Sequence, residues 1–167
     1  MKRVKVTIAS FVFLAAQMLL VPRIALGEIA PDFPLLLVAY FAINQTPLKG
    51  SISGFAVGLF QDLFNPQLLG LNALTKSLTG YAVSVMGAKA DPENVFFLLP
   101  LFSVAALGHD FFYLLFFTGL DPAKFFVLLV TVSVPSALYT AVAGVVVHRI
   151  ADFVGTRVVR TIGKARP

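Results

Sequence analysis

Long apolar runs separated by short polar breaks make up most of the chain. Each run approaches the length of about 20 residues that a helix needs to cross the hydrocarbon core of a bilayer. The breaks contain prolines, where helices tend to end; these are Pro22, Pro31, Pro34, Pro47, Pro66, Pro92 and Pro122. The pattern predicts about six transmembrane helices, at residues 4–21, 32–45, 49–64, 69–87, 95–118 and 123–150.

The second and third predicted spans are short for this task. They either cross the bilayer as two full spans, with local thinning of the lipid, or form a re-entrant hairpin that other parts of the protein cover. We favour two full spans, which the count of basic residues supports.

The composition supports a membrane protein. Of the 167 residues, 58% are hydrophobic and 13% are charged, whereas soluble domains are about half apolar and a quarter charged. A chain of this length cannot bury so much apolar surface in water, so the surplus is expected to face lipid. We predict an all-α integral membrane protein, with a single transmembrane domain at residues 1–151 and a basic cytoplasmic tail at residues 152–167.

The N-terminal run can also be interpreted as a secretory signal, because Lys2 to Lys5 precede an apolar stretch and small residues follow it. Further spans follow at once, and Arg23 interrupts the approach to a cleavage site. We therefore predict that the first span is retained as a helix. The chain has no cysteine, which excludes disulfides and thiolate metal sites.

Basic residues indicate the topology of the predicted spans. With the N-terminus inside, ten of the 13 cations are cytoplasmic, namely Lys2, Arg3, Lys5, Lys49, Lys89, Arg149, Arg157, Arg160, Lys164 and Arg166. Arg23 and Lys124 are external, and Lys76 lies within the fourth span. This bias predicts that both termini are cytoplasmic. The tail is expected to bind anionic lipid headgroups or a cytoplasmic partner.

Ionisable residues inside the predicted spans are the candidate site. Asp62, Lys76 and Asp110 fall at a similar depth toward the outer leaflet, so we predict a buried Asp62–Lys76–Asp110 network, because charges in lipid need partners. The network either fixes the helix register or lines a binding cavity or partner contact. His109 is adjacent to Asp110, and neighbouring helical residues point about 100° apart, so we do not expect both to line one site.

Two stripes of small and polar residues recur at every fourth position of the third and fourth spans. They consist of Gly50, Gly54, Gly58 and Asp62, and of Asn72, Lys76, Gly80 and Ser84. Small residues at this spacing let helix backbones approach closely in lipid. The stripes pack either against each other or against a helix of another protein.

Motifs of known enzyme classes are missing from the sequence, including the nucleophile elbow, the zinc-protease helix and the phosphate-binding loop. No cofactor or metal site is predicted. Nucleic-acid binding is not predicted either, because the cations flank apolar spans instead of forming a basic patch. We therefore predict that the protein is not an enzyme.

The segment from Gly54 to Ser84 resembles the MreD family of rod shape-determining membrane proteins. The matching positions are Gly54, Gly58, Leu59, Asp62, Leu63, Leu69, Gly70, Ala73, Leu74, Gly80 and Tyr81, and residues 31–37 are similar to the start of that family's second span. The resemblance covers about residues 30–90. The Asn65-Pro66-Gln67 turn departs from the family's commoner small-residue loop.

This resemblance implies a non-catalytic scaffold of the bacterial cell-elongation complex, which supports cell shape and lateral peptidoglycan synthesis. The implied partners are MreC, then RodA and its transpeptidase partner, and MreB indirectly; self-association is a further option. The family is thought to share a fold with the substrate-binding subunits of energy-coupling-factor vitamin transporters. The expected partner-binding or network residues are Gly54, Gly58, Asp62, Asn72, Lys76, Gly80 and Asp110.

The alternative function is a solute-binding subunit of a vitamin-type transporter, with Asp110, Phe111 and Tyr113 in a ligand pocket. The first span argues against it, because it lacks the alanines at strict four-residue spacing that such subunits typically offer to their partner.

Overall fold

The computed structural model describes residues 21, 23–43, 45–64, 66–88, 94–147 and 149. Five α-helices account for most of this part of the chain: α1 (Phe33–Ala42), α2 (Pro47–Asp62), α3 (Leu71–Gly87), α4 (Val95–Phe117) and α5 (Pro122–Val147). The described residues contain no strand, which confirms the all-α prediction. Residues 4–20 of the first span, which was predicted at residues 4–21, and the tail at residues 152–167 lie outside the described residues.

The helices begin where the sequence predicts breaks. The side chains of Asp32, Asn94 and Asp121 accept hydrogen bonds from the first backbone N–H groups of α1, α4 and α5, as N-cap residues do. Proline follows the cap in α1, α2 and α5, where its missing N–H costs nothing. Polar caps and prolines together therefore set the helix boundaries.

Two of the helices, α4 and α5, are long and apolar enough to cross a membrane. The other three are shorter, with 10 residues in α1, 16 in α2 and 17 in α3. The large apolar side chains that the helices expose include Leu48, Ile52, Phe55, Leu78, Phe96, Phe116, Val130 and Leu138. Such a surface suits lipid, not water.

The helices α2 and α3 form a closely packed hairpin. A Cβ atom added at Gly54 or Gly58 would collide with the backbone of Lys76 or Asn72. The hydroxyls of Ser51 and Ser77 meet across the hairpin at 2.8 Å. The glycine stripe therefore lets the two backbones touch.

An apolar core joins this hairpin to α1, α4 and α5. It contains Leu36, Ala39, Val83, Leu98, Leu101, Phe102 and Ala141, all of them buried. Helix α5 contains a wider π-helical turn at Leu129–Ser133, in which the N–H of Val134 donates to the carbonyl of Leu129. Pro135 follows this turn and has no N–H to donate, which explains the irregularity. The turn leaves Ser133 buried.

Candidate functional site

Asp62 lies at the end of α2 and is completely buried. Its Oδ2 accepts hydrogen bonds from the N–H groups of Gly70 (2.9 Å) and Ala73 (3.0 Å). Its Oδ1 accepts from the backbone N–H (3.1 Å) and the side-chain Nδ2 (2.9 Å) of Asn72. Asp62 thus caps the N-terminus of α3 from a neighbouring helix, where the helix dipole favours a negative charge.

Gly70 makes this cap geometrically feasible. It is the N-cap residue of α3 and has a φ of 94°, a left-handed conformation that favours glycine. Because glycine has no side chain to cap the helix itself, the carboxylate of Asp62 takes that role. The turn and the acid therefore act together to join α2 to α3.

Lys76 is also completely buried, in the middle of α3. Its Nζ donates to Oδ2 of Asp32 at 2.8 Å and lies 3.0 Å from Nε2 of His109. Because an ammonium group can only donate, Nε2 of His109 must be the acceptor and carries no proton. The ring is then neutral, with its proton on Nδ1.

Asp110 is the next member of the chain of contacts. Nδ1 of His109 lies 3.0 Å from Oδ1 of Asp110 and donates a hydrogen bond to it. At the other end, the backbone N–H of Asp32 donates to Oγ1 of Thr140 at 3.0 Å. The contacts therefore link α1, α3, α4 and α5 through buried or half-buried polar groups.

A cavity of about 330 Å³ lies beside this network and is open on one side. Its wall is formed by Asp32, Gln61, Phe64, Asn72, His109, Asp110 and Tyr113. The rings of His109 and Tyr113 stack at a centroid distance of 5.9 Å. The described residues contain no group of three or more His, Asp or Glu side chains suited to a metal ion.

The network differs from the predicted one in its pairing. Lys76 binds Asp32 and His109, and Asp62 binds backbone N–H groups, so the direct Asp62–Lys76 pair is wrong. Asp110 contacts His109 instead of Lys76. The expectation that His109 and Asp110 do not line one site is also wrong, because both border the cavity. His109 and Asp110 point about 100° apart on α4, and the cavity is wide enough for both side chains to border it.

Asp32 is the partner that the sequence argument missed. Asp32 is the first residue of the predicted second span, and its position before Phe33 and Pro34 is typical of an N-cap and not of a buried charge. A carboxylate at the start of one span and a lysine inside another are the signal that could have suggested the pair.

The remaining predicted residues lie in the contact between α2 and α3. Gly54 and Gly58 face the backbone of α3, and Gly80 faces the backbone of Gly50. Asn72 supplies two of the donors to Asp62. Of the two alternatives for the stripes, packing within the same chain is therefore the arrangement that the structure has.

Sequence comparison decides the family. A protein-family model described as rod shape-determining protein MreD matches residues 2–152. The chain belongs to the MreD family. The match extends well beyond residues 30–90. No curated protein and no solved structure matches the chain.

Membership of the MreD family implies a role in determining rod shape, and together with the apolar helices it indicates a membrane protein. The family is a structural one and is not known for enzymatic activity. The match gives no support to the alternative of a vitamin-transporter subunit. The boundary between a domain at residues 1–151 and a tail at residues 152–167 stays a prediction.

Proposed function

We propose that this chain is a non-catalytic scaffold of the bacterial cell-elongation complex, which binds MreC in the cytoplasmic membrane and thereby supports lateral peptidoglycan synthesis. The observation that carries this proposal is the MreD match over residues 2–152. RodA with its transpeptidase partner, and MreB indirectly, are the further partners that we propose for the complex.

The use of the interior polar groups supports a scaffold. The four hydrogen bonds to Asp62 and the contacts of Lys76 with Asp32 and His109 all join one helix to another. Polar contacts of this kind fix which helix faces meet, in a lipid environment that offers little hydrophobic drive for helix association. A rigid bundle is what a membrane scaffold needs.

We place the MreC contact on the outward face of the α2–α3 hairpin. The glycine stripe is already covered by α3, so a partner helix has to meet other residues. Along α2 the outward face carries large apolar side chains at helical spacing, namely Leu48, Ile52, Phe55 and Leu59. A single-span partner could pack along this row.

Six spans with both termini in the cytoplasm complete the proposal. The positive-inside bias supports this topology. Because the chain has no cysteine, single cysteines at positions 121 and 89 can be labelled from one side of the membrane in intact cells. We expect labelling from outside at position 121 only. External labelling of a cysteine in the 152–167 tail would contradict the topology.

Co-purification tests the MreC proposal. Tagged protein co-expressed with MreC and purified in mild detergent should retain MreC as a stoichiometric partner. Phe55→Ala and Leu59→Ala should reduce the amount retained, because they shorten the proposed contact row. Phe112→Ala, at an exposed position of similar chemistry on α4, is the matched control and should retain MreC. Absence of MreC from the unmodified protein would overturn the proposal.

A further inference from the structure

The cavity beside His109 contains a carboxylate whose charge is not balanced. Lys76 neutralises Asp32, and the N-terminus of α3 stabilises Asp62. Asp110, with 26% of its side chain exposed, receives a hydrogen bond only from the neutral ring of His109 among the described residues. A carboxylate without a cationic partner attracts positive charge. The cavity is therefore suited to a cation.

The rest of the wall adds two features that a cation can use. The stacked rings of His109 and Tyr113 border the cavity, and the face of an aromatic ring attracts positive charge. Gln61 also lies on the wall, and its buried Oε1 has no hydrogen-bond donor in the described part of the chain. Buried acceptors without a donor are rare in native proteins. A ligand with N–H groups would supply the donor.

We propose that this cavity binds a primary ammonium group, carried either by the ethanolamine headgroup of a phospholipid or by a free alkylamine. An ammonium group has three N–H donors, no acceptor and a single positive charge, which matches a wall with Asp110, a free amide acceptor and an aromatic ring. Anions are disfavoured by Asp110. The volume of about 330 Å³ is at the lower end of the range for small-molecule sites, and suits a headgroup.

Asp32 also borders the cavity, but its charge is offset by the buried ammonium group of Lys76, which leaves Asp110 as the acid for the ligand. This inference goes beyond the scaffold proposal and is independent of MreC, because it is tested on the isolated chain.

The experiment measures ligand-dependent thermal stability of the full chain. The protein is purified in a neutral detergent and heated, and the remaining monodisperse fraction gives Tm, since the chain has no tryptophan for intrinsic fluorescence. Butylamine is titrated at constant ionic strength, with tetramethylammonium as the cation that has no hydrogen-bond donor. In parallel, nanodiscs of phosphatidylcholine are compared with nanodiscs that also contain phosphatidylethanolamine.

We expect a saturable rise in Tm with butylamine, a phosphatidylethanolamine-dependent rise, or both, and these arms separate the free amine from the lipid source. Asp110→Asn should weaken the apparent affinity about tenfold or more, because one charge-assisted hydrogen bond is lost. Tyr113→Leu should weaken it as well and serves if the first variant fails to fold. Asp121→Asn, at an exposed carboxylate outside the cavity, should bind like the unmodified chain.

Three results would overturn the inference. The first is no change in Tm with butylamine and none between the two lipid compositions. The second is an equal response to tetramethylammonium and butylamine, because tetramethylammonium cannot donate a hydrogen bond to Asp110 or Gln61. The third is an unchanged response in both Asp110→Asn and Tyr113→Leu.

Discussion

The α2–α3 hairpin and the α4–α5 pair use different means to fold in the same surroundings. The hairpin helices are short and carry glycine, serine and buried charge where they meet. Helices α4 and α5 are long and strongly apolar, and only 33% and 28% of their most apolar windows are buried inside the protein. The hairpin is therefore stabilised mainly by contacts within the protein, and α4 and α5 mainly by contact with lipid.

The contrast shows where the fold is sensitive to substitution. In the hairpin, backbones touch and buried polar atoms depend on one another, so a small change removes several contacts at once. On the outer faces of α4 and α5, one apolar side chain can replace another because lipid adapts to its shape. Substitutions in the hairpin should consequently reduce stability much more than substitutions on the lipid-facing side of the long helices.

The largest effect is expected at Asp62. Asp62→Ala leaves four N–H donors without their acceptor, and each buried donor left unsatisfied costs about 1–3 kcal/mol. Asp62→Asn retains one oxygen but turns an NH₂ group toward N–H donors, so its cost should be smaller but still large. Thermal unfolding in detergent measures both. Equal and small losses of Tm would show that Asp62 does not cap α3.

Lys76→Met should follow, with a loss of about 3–5 kcal/mol, because it leaves Asp32 without its cationic partner inside the protein. The double variant Lys76→Met/Asp32→Asn removes both charges and keeps an oxygen for the cap of α1. It should recover part of the loss. Losses that simply add up in the double variant would mean that Lys76 and Asp32 are not coupled.

The sequence was sufficient for the elements of this comparison and insufficient for their pairing. Proline breaks predicted the ends of the described helices to within a few residues, and the four-residue spacing of Gly50, Gly54 and Gly58 predicted a close helix contact. The partner of Lys76 was not predictable from spacing. Asp32, Asp62 and Asp110 belong to three different helices, and the packing of the bundle determines which carboxylate reaches the ammonium group.

His109 illustrates the same limit. The sequence predicts that Asp110 is an acidic residue inside a transmembrane span. It does not predict that the ring of His109 connects Asp110 to Lys76, because adjacent residues on a helix point in different directions. Two rings and two carboxylates can share one wall when the cavity is wide. Rotamers and cavity width are properties of the packed bundle, so single-sequence periodicity does not contain them.

Gly58→Ala tests the backbone contact of the hairpin with a single added methyl group. The new Cβ would collide with the backbone of Asn72, and overpacking of this kind costs about 1–3 kcal/mol. Gly108→Ala is the matched control on α4, where the added Cβ meets nothing within 4 Å and should be neutral or slightly stabilising. Membrane insertion should survive in both. If Gly58→Ala and Gly108→Ala change the Tm equally, the backbones of α2 and α3 do not approach each other as closely as described.

The smallest effect is expected at Asp121, which caps α5 as Asp62 caps α3 but lies exposed at the protein surface. It accepts hydrogen bonds from the N–H groups of Ala123 (3.0 Å) and Lys124 (3.2 Å), which water can replace when Asp121→Ala removes the carboxylate. The Tm of this variant should therefore fall less than that of any variant above.

The pH dependence of the Tm difference caused by Asp121→Ala shows whether the charged carboxylate stabilises the start of α5. The backbone N–H of Lys124 holds the pKa of the Asp121 carboxyl below its ordinary value of 3.8. A carboxyl whose pKa is lower in the folded state stabilises the fold above the ordinary value and loses that contribution as the pH falls through the lowered one. The difference in Tm between Asp121→Ala and the unmodified chain should thus be constant near neutral pH and shrink below pH 3.8. A difference that persists in acid would mean that the carboxylate charge does not stabilise α5.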